Sequence, residues 1–499
     1  MKRALAMVLA LVMMIGCLSG CGNNTKETEA QTEAKTEAQT EAKTEAQTEA
    51  TTAAVPETEE KEWFGTEDGK TVTLHFWGGV QPEYGYDELC ANFNEAYKDK
   101  GVQVEYTRYV NDTAGNLQLE TYLMGSGDVD VFMGYGGRTT LNKRVESNLV
   151  LEMTDYLKEY DFDLVEELGA VNMQNYWFEN DRVYAFPTKY ENSQWVMINV
   201  DMFNEAGVEI PYDGWTYSEF LAAVEKLTHG EGQDKVYGVC WTLKQWFSGV
   251  KGIMGSTLGS YSTYKNDDCT EVNYDHEVWR AGLEMLNSCM VNGWAVPIED
   301  EYSENATVAN TFLEGKCAIT TNISQMRLVM DTTTYPHDFV TALVPGPVPD
   351  GYETVDYKTH TSATGAGDLI CIAQNTAYPE AAFEFCIWYL TGGMAPLAKG
   401  GRIPLWNGFD QELVVAAIKE NAGDVMDEQA LRNYLSIDNS KGQAAPSALW
   451  ASSEISSVFK EEVEALCYGR QSVDDTINNL VTRSNKLIDD AIAAAGASK

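Results

Sequence analysis

The stretch Leu117–Gly137, LQLETYLMGSGDVDVFMGYGG, changes its period halfway along. The first part reads as a helix that stops at the Gly-Ser-Gly break. The next residues, Asp128–Met133, form the short apolar run of a buried strand, and the run empties into a glycine-rich loop. Reading outward, the same alternation recurs. Thr71–Trp77 (TVTLHFW) is rich in β-formers and predicts a strand. Tyr86–Lys100 carries apolar residues at helical spacing, Gly101 breaks it, and Val102–Tyr109 (VQVEYTRY) predicts the next strand. Strand and helix in alternation predict an α/β fold with a mainly parallel sheet and helices on both faces. Such sheets bind ligands beyond the carboxyl ends of their strands. Two loops therefore stand out, Gly78–Tyr86 and Tyr135–Arg138.

Further along, Thr216 and Glu219 sit at the spacing of a capping box before an apolar run. His276–Gly293 predicts an amphipathic helix. Pro379 opens another helix, and Gly392 and Gly393 close it. A last helix is expected from Ser472. From Trp63 onward the 499-residue chain is too long for one compact core, which predicts two lobes.

The order of segments resembles the extracellular solute-binding proteins of ABC importers, the carbohydrate-type cluster that includes maltose-binding protein. The resemblance spans Thr71 to Ala491. It is carried by LMGSGDVDVFMGYGG, NLVLEMTDYL, VYAFPTKYENSQWVMINVDMFNEAGVEIP, GWTYSEFLAAVEKLT, TFLEGKCAITTNIS, YPEAAFEFCIWYLTG and YGRQSVDDTINNLV. It implies a two-lobed periplasmic-binding-protein-like α/β fold, with crossing hinge segments and the ligand in the cleft between lobes. The implied division gives one lobe residues 63–187 and 360–398, and the other 188–359 and 399–499.

The beginning of the chain agrees independently. Lys2 and Arg3 precede an apolar run, Ala4–Leu18, shorter than the roughly 20 residues of a membrane span. This is the layout of a secretory leader over residues 1–20. Leu18-Ser19-Gly20-Cys21 resembles the lipobox of bacterial lipoproteins, which implies lipidation, palmitate included, at Cys21. Residues 21–62 are mostly Thr-Glu-Ala-Gln and Thr-Glu-Ala-Lys units. Too polar to offset chain entropy, they read as a disordered tether. The expected location is the extracellular face of the cell membrane, held by the lipid alone.

The net charge of −41 argues against nucleic acid and anionic membrane as partners, and favours neutral or cationic ligands. A neutral, hydroxyl-rich ligand needs aromatic faces and planar polar side chains. Twelve tryptophans supply the first. Trp279 and Trp388 lie within amphipathic helices and read as core; Trp215 and Trp294 read as packing residues. Trp77, Trp241, Trp246, Trp406 and Trp450 fall on predicted loops or helix starts and are the candidate stacking residues. Tyr135 lies on the glycine-rich loop and Glu83 on the first loop. The resemblance implies Glu191, four residues after Pro187, as a sugar-contacting acid, Arg138 as a basic contact, Trp450 as a stacking residue, and Asn322 and Ser324 as bordering the cleft.

Enzyme motifs are lacking. The five histidines are scattered, no G-x-S-x-G or Walker A loop is present, and no C-x-x-C pair marks a zinc site. No catalytic residue, metal or cofactor is expected. The expected partners are a carbohydrate, in particular an oligosaccharide, and ABC permease subunits, with the chain a monomer. A glycoside-active enzyme and a polysaccharide adhesin are the rival classes, because any acidic chain offers carboxylate pairs.

Overall fold

The computed structural model describes residues 63–125, 128–174, 181–258, 262–353, 367–438 and 449–497. The expected leader and tether, with Cys21, lie outside the described residues. Among the described residues ten strands form two sheets. The first holds β1 (Val72–Gly78), β2 (Val102–Arg108), β3 (Val131–Gly134), β4 (Phe186–Tyr190), β9 (Gly367–Ile372) and β10 (Ile403–Pro404), in the order β10-β4-β9-β3-β1-β2. The second holds β5 (Trp195–Asn199), β6 (Tyr237–Cys240), β7 (Cys317–Thr320) and β8 (Thr341–Pro345), in the order β6-β7-β5-β8.

The expectation of mainly parallel sheets is corrected. β1 is parallel to β2 and β3, and β6 to β7. The other pairings between named strands are antiparallel. The reason is the crossing chain: β4 runs into β5 through Glu191–Gln194, and β8 returns to β9, so strands enter a sheet from the end opposite to their neighbours. The first sheet keeps Lys189 and Tyr190, and β10 pairs with β4 as late as Pro404.

Local signals formed as their chemistry dictates. The Thr216 hydroxyl accepts from the Glu219 amide at 3.2 Å, while the Glu219 carboxylate accepts from the Thr216 amide at 2.8 Å. Ser472 and Asp475 make the same reciprocal exchange ahead of the helix Val473–Ala497. Pro379 opens the helix Pro379–Trp388.

Each sheet has its own core. Phe76, Phe93 and Phe385 pack edge to face under the first. Trp215, Phe220, Trp241, Trp279 and Phe459 fill the second. Trp195 and Met197 of β5 belong to the first core, so the crossing is packed on both sides. Tyr434, on the helix Glu428–Leu435, braces it: its Oη accepts from the Asn192 amide at 3.0 Å, and its ring meets Trp195 with centroids 5.1 Å apart. No helix among the described residues is long and apolar enough to cross a membrane.

Candidate functional site

The parallel strands β6 and β7 end side by side, and the turns beyond them are the place where a ligand is expected. A cavity of about 490 Å³ opens there. Gln245 reaches it from the first turn of the helix Leu243–Met254, which follows β6. Asn322, Ser324, Gln325 and Arg327 line it from the segment after β7, and Thr307 and Tyr335 complete the polar wall. Asn322 is buried, and its Oδ1 accepts from the Ser324 hydroxyl at 2.6 Å, which fixes the orientation of both. Two other cavities of about 490 and 480 Å³ are built from helix ends and turns, around Asp161–Leu164 and around Gly207–Trp215, away from the carboxyl ends of strands.

The first sheet offers matching loops. Beyond β1 the Gly79 amide donates to Tyr135 Oη at 3.0 Å, tying the loop after β1 to the loop after β3. A Cβ at Gly79 would stand 2.8 Å from the Tyr135 ring, so the contact requires glycine. Burial, then the neighbouring Tyr86, holds the Tyr135 phenol well above its ordinary pKa, so it stays a neutral donor and acceptor. The following turn, Pro82–Tyr84, carries Tyr84, whose Oη donates to Asp331 Oδ2 at 3.0 Å; Tyr84 and the helix before Asp331, Met326–Met330, both pack on the first core. Asp331 lies four residues after Arg327, so this contact joins the first-sheet loop to the segment that walls the cavity.

The structure brings only some of the expected residues together. Asn322 and Ser324 are in the cavity wall. Glu83 is exposed beside Tyr84. Arg138 occupies the first turn of the helix Gly137–Glu146 and donates from Nε to Asn142 at 3.3 Å. Glu191 lies on the crossing after β4, in an ion pair with Lys189 at 3.2 Å, outside the cavity wall. The reading of Trp77 and Trp241 as exposed loop residues is corrected: they are 6% and 1% exposed, one packed on Tyr122 and the other in the second core against Phe220. Trp77 lies within β1 and Trp241 one residue past the end of β6, and both turn into the interior.

Trp406 is half-buried and donates from Nε1 to the Glu167 carboxylate, which docks it on the helix Leu164–Leu168. Trp450 is half-buried against the second core, and its carbonyl accepts from Tyr264 at 3.0 Å. The Trp246 side chain lies outside the described residues. Gln245, Gln325, Arg327, Thr307 and Tyr335 were missed. Gln245 and Gln325 follow strand ends by five residues, a signal that a search restricted to tryptophans and acids passes over. Among the described residues no group of three or more His, Cys, Asp or Glu is placed to hold a metal ion.

Comparison with known proteins adds a lineage to this geometry. The sequence profile of the bacterial extracellular solute-binding proteins matches residues 78–393. No curated protein matches. Among solved structures, a sugar transporter from Rhizobium etli in an open conformation superposes with a TM-score of 0.60 at 19% identity, covering 84% of this chain and 99% of its own. An ABC substrate-binding protein from Listeria monocytogenes in complex with cycloalternan gives 0.59 at 18%, covering 84% and 100%. A Mycobacterium tuberculosis protein in complex with glycerophosphocholine gives 0.58 at 16%, covering 85% and 100%. At these identities the likeness establishes the fold, two lobes included.

Proposed function

Because this chain belongs to the bacterial extracellular solute-binding protein family, we propose that it captures a sugar or short oligosaccharide between its lobes and hands it to an ABC permease. The observation that carries the ligand class is the make-up of the cavity wall. Gln245, Asn322, Ser324, Gln325 and Thr307 are neutral amides and hydroxyls, each with donor and acceptor capacity. Such groups match the hydroxyls of a sugar ring and give no reason to take up a hydrocarbon. Tyr335 adds an aromatic ring to the same wall. Of the solved structures of like fold, the one in complex with cycloalternan is in keeping with this wall, and the one in complex with glycerophosphocholine sets the alternative to be tested.

Capture proceeds by hinge closure. The crossing at Glu191–Gln194 is the natural pivot, and a ligand that bridges both lobes shifts the population toward the closed form. Lipidation of Cys21 would keep the receptor near its permease on the extracellular face, with residues 22–62 as a flexible leash. Replacing Cys21 by Ser should then move the chain from the detergent phase to the aqueous phase in cloud-point partitioning.

The ligand test is a thermal-shift panel of neutral oligosaccharides and glycerophosphodiesters, followed by titration calorimetry and analysis of the recovered sugar. Binding to the native state raises the melting point, by about 2.7 kcal/mol of stabilisation at a hundredfold excess over Kd. A saturable shift with intact recovered sugar supports the reading. Release of shorter sugars would move the chain to the glycosidases, and a shift with glycerophosphodiesters alone would overturn the sugar assignment.

A further inference from the structure

One buried carboxylate is used by neither core. Glu301, on the short helix Ile298–Ser303, is fully buried. Its Oε1 accepts from the Thr242 amide at 3.1 Å, and its Oε2 accepts from the Leu243 amide at 2.5 Å. These amides belong to the turn that links β6 to the helix carrying Gln245. The turn needs holding. Thr242 sits in the left-handed region, at φ 49° and ψ 37°, which a β-branched residue adopts only under constraint, and its buried hydroxyl has no partner.

We propose that Glu301 is a positioning residue for ligand: its ionised carboxylate clamps the Thr242–Leu243 turn and so holds Gln245 at the cavity wall. This rests on the cavity beyond β6 and β7 being the ligand site. The clamp is complete only when Glu301 is ionised, since a protonated carboxyl turns one acceptor oxygen into a donor facing an N–H. Burial raises the Glu301 pKa to about 7, against the lowering effect of the Leu243, Thr242 and Trp241 amides. The ionisable groups that face it are the thiols of Cys240, 3.9 Å away, and Cys467, and the phenol of Tyr302. No salt bridge reaches it among the described residues. The turn is therefore intact above pH 7 and relaxed below it, and ligand binding, which needs the intact turn, releases a proton near and below pH 7.

The test uses the full chain. In unliganded protein, amide exchange at Thr242 and Leu243, corrected for intrinsic rate, is compared between wild type and Glu301→Gln, whose amide N–H₂ faces one of the two backbone donors. Loss of protection by tenfold or more is expected; unchanged protection overturns the clamp. In parallel, cycloalternan, maltotriose and xylotriose are titrated from pH 6 to 8. Wild-type affinity should rise by up to roughly tenfold, with proton release seen across buffers of different ionisation enthalpy, and Glu301→Gln should give a flat profile. A flat wild-type profile overturns the proposal even if the variant fails to fold. Gln245→Ala separates the two readings: if it leaves affinity intact, the cavity is not the site, whatever the clamp does.

Discussion

Replacing Tyr84 by Phe removes one oxygen and, with it, the hydrogen bond from Tyr84 Oη to Asp331 Oδ2. The two residues come from different halves of the chain, one from the turn after β1 and the other from the segment after β7. A hydrogen bond to a charged acceptor contributes about 1.5–3 kcal/mol when buried. Here both side chains are partly exposed, and water competes for each of them when the bond opens. That discount brings the expected contribution to about 1 kcal/mol, or roughly fivefold in an equilibrium. If the bond belongs to the arrangement that holds ligand, Tyr84→Phe should weaken oligosaccharide binding by about that factor. The melting point should change little, because the Phe ring keeps the packing of Tyr84 against the first core. Asp331→Asn, which keeps an acceptor but loses the charge, should have a similar or smaller effect. The double variant should be no worse than the more damaging single one, so that the cycle returns a coupling of about 1 kcal/mol. Titration calorimetry on the four proteins, with small-angle scattering to follow the radius of gyration, is the assay. Fully additive effects, or unchanged affinity in Tyr84→Phe, would refute the assignment of this contact to the arrangement that holds ligand.

Gln245→Ala and Gln325→Ala should each weaken binding, by about 1–2 kcal/mol per lost hydrogen-bonding group, while leaving the melting point near wild type; calorimetry and differential scanning on the same samples check both halves of the statement. Trp241→Ala should instead destabilise the fold by about 3–5 kcal/mol, because a fully buried indole leaves a cavity, and denaturant titration should show it with or without sugar. Lys251 lies over the rings of Tyr274 and Phe459, and burial lowers its pKa from 10.5 to about 8. The folded chain therefore binds fewer protons than the unfolded chain between these two values, so stability rises with pH across that window and the penalty is fully present below pH 8. Lys251→Met should remove that slope and stabilise the protein at pH 7, by up to about 3 kcal/mol at roughly 1.4 kcal/mol per pKa unit, as read from urea midpoints at pH 7 and 10.

What the sequence by itself determined is what local chemistry can write. The Thr216–Glu219 cap, the helix starts at Pro379 and Ser472 and the strand that runs into the glycine-rich loop each depend on residues a few positions apart, and each stands where its signal lies. The order of these elements, with the profile match it reflects, was enough to place the chain among two-lobed receptors. Of the residues that line the candidate cavity, Asn322 and Ser324 stood out in the sequence through a resemblance, but the tryptophans did not sort themselves. Whether an indole at a strand end turns inward, as Trp77 and Trp241 do, or docks on a helix, as Trp406 does on Glu167, depends on a surface contributed from elsewhere in the chain. The tertiary structure decided those cases because its deciding contacts span long separations: 247 residues for Tyr84 and Asp331, 239 for Trp406 and Glu167, and 58 for Leu243 and Glu301. The hydrogen bonds that shape the cavity close only after the chain has crossed between its sheets, and no periodicity in a linear string records which distant residues that crossing brings face to face.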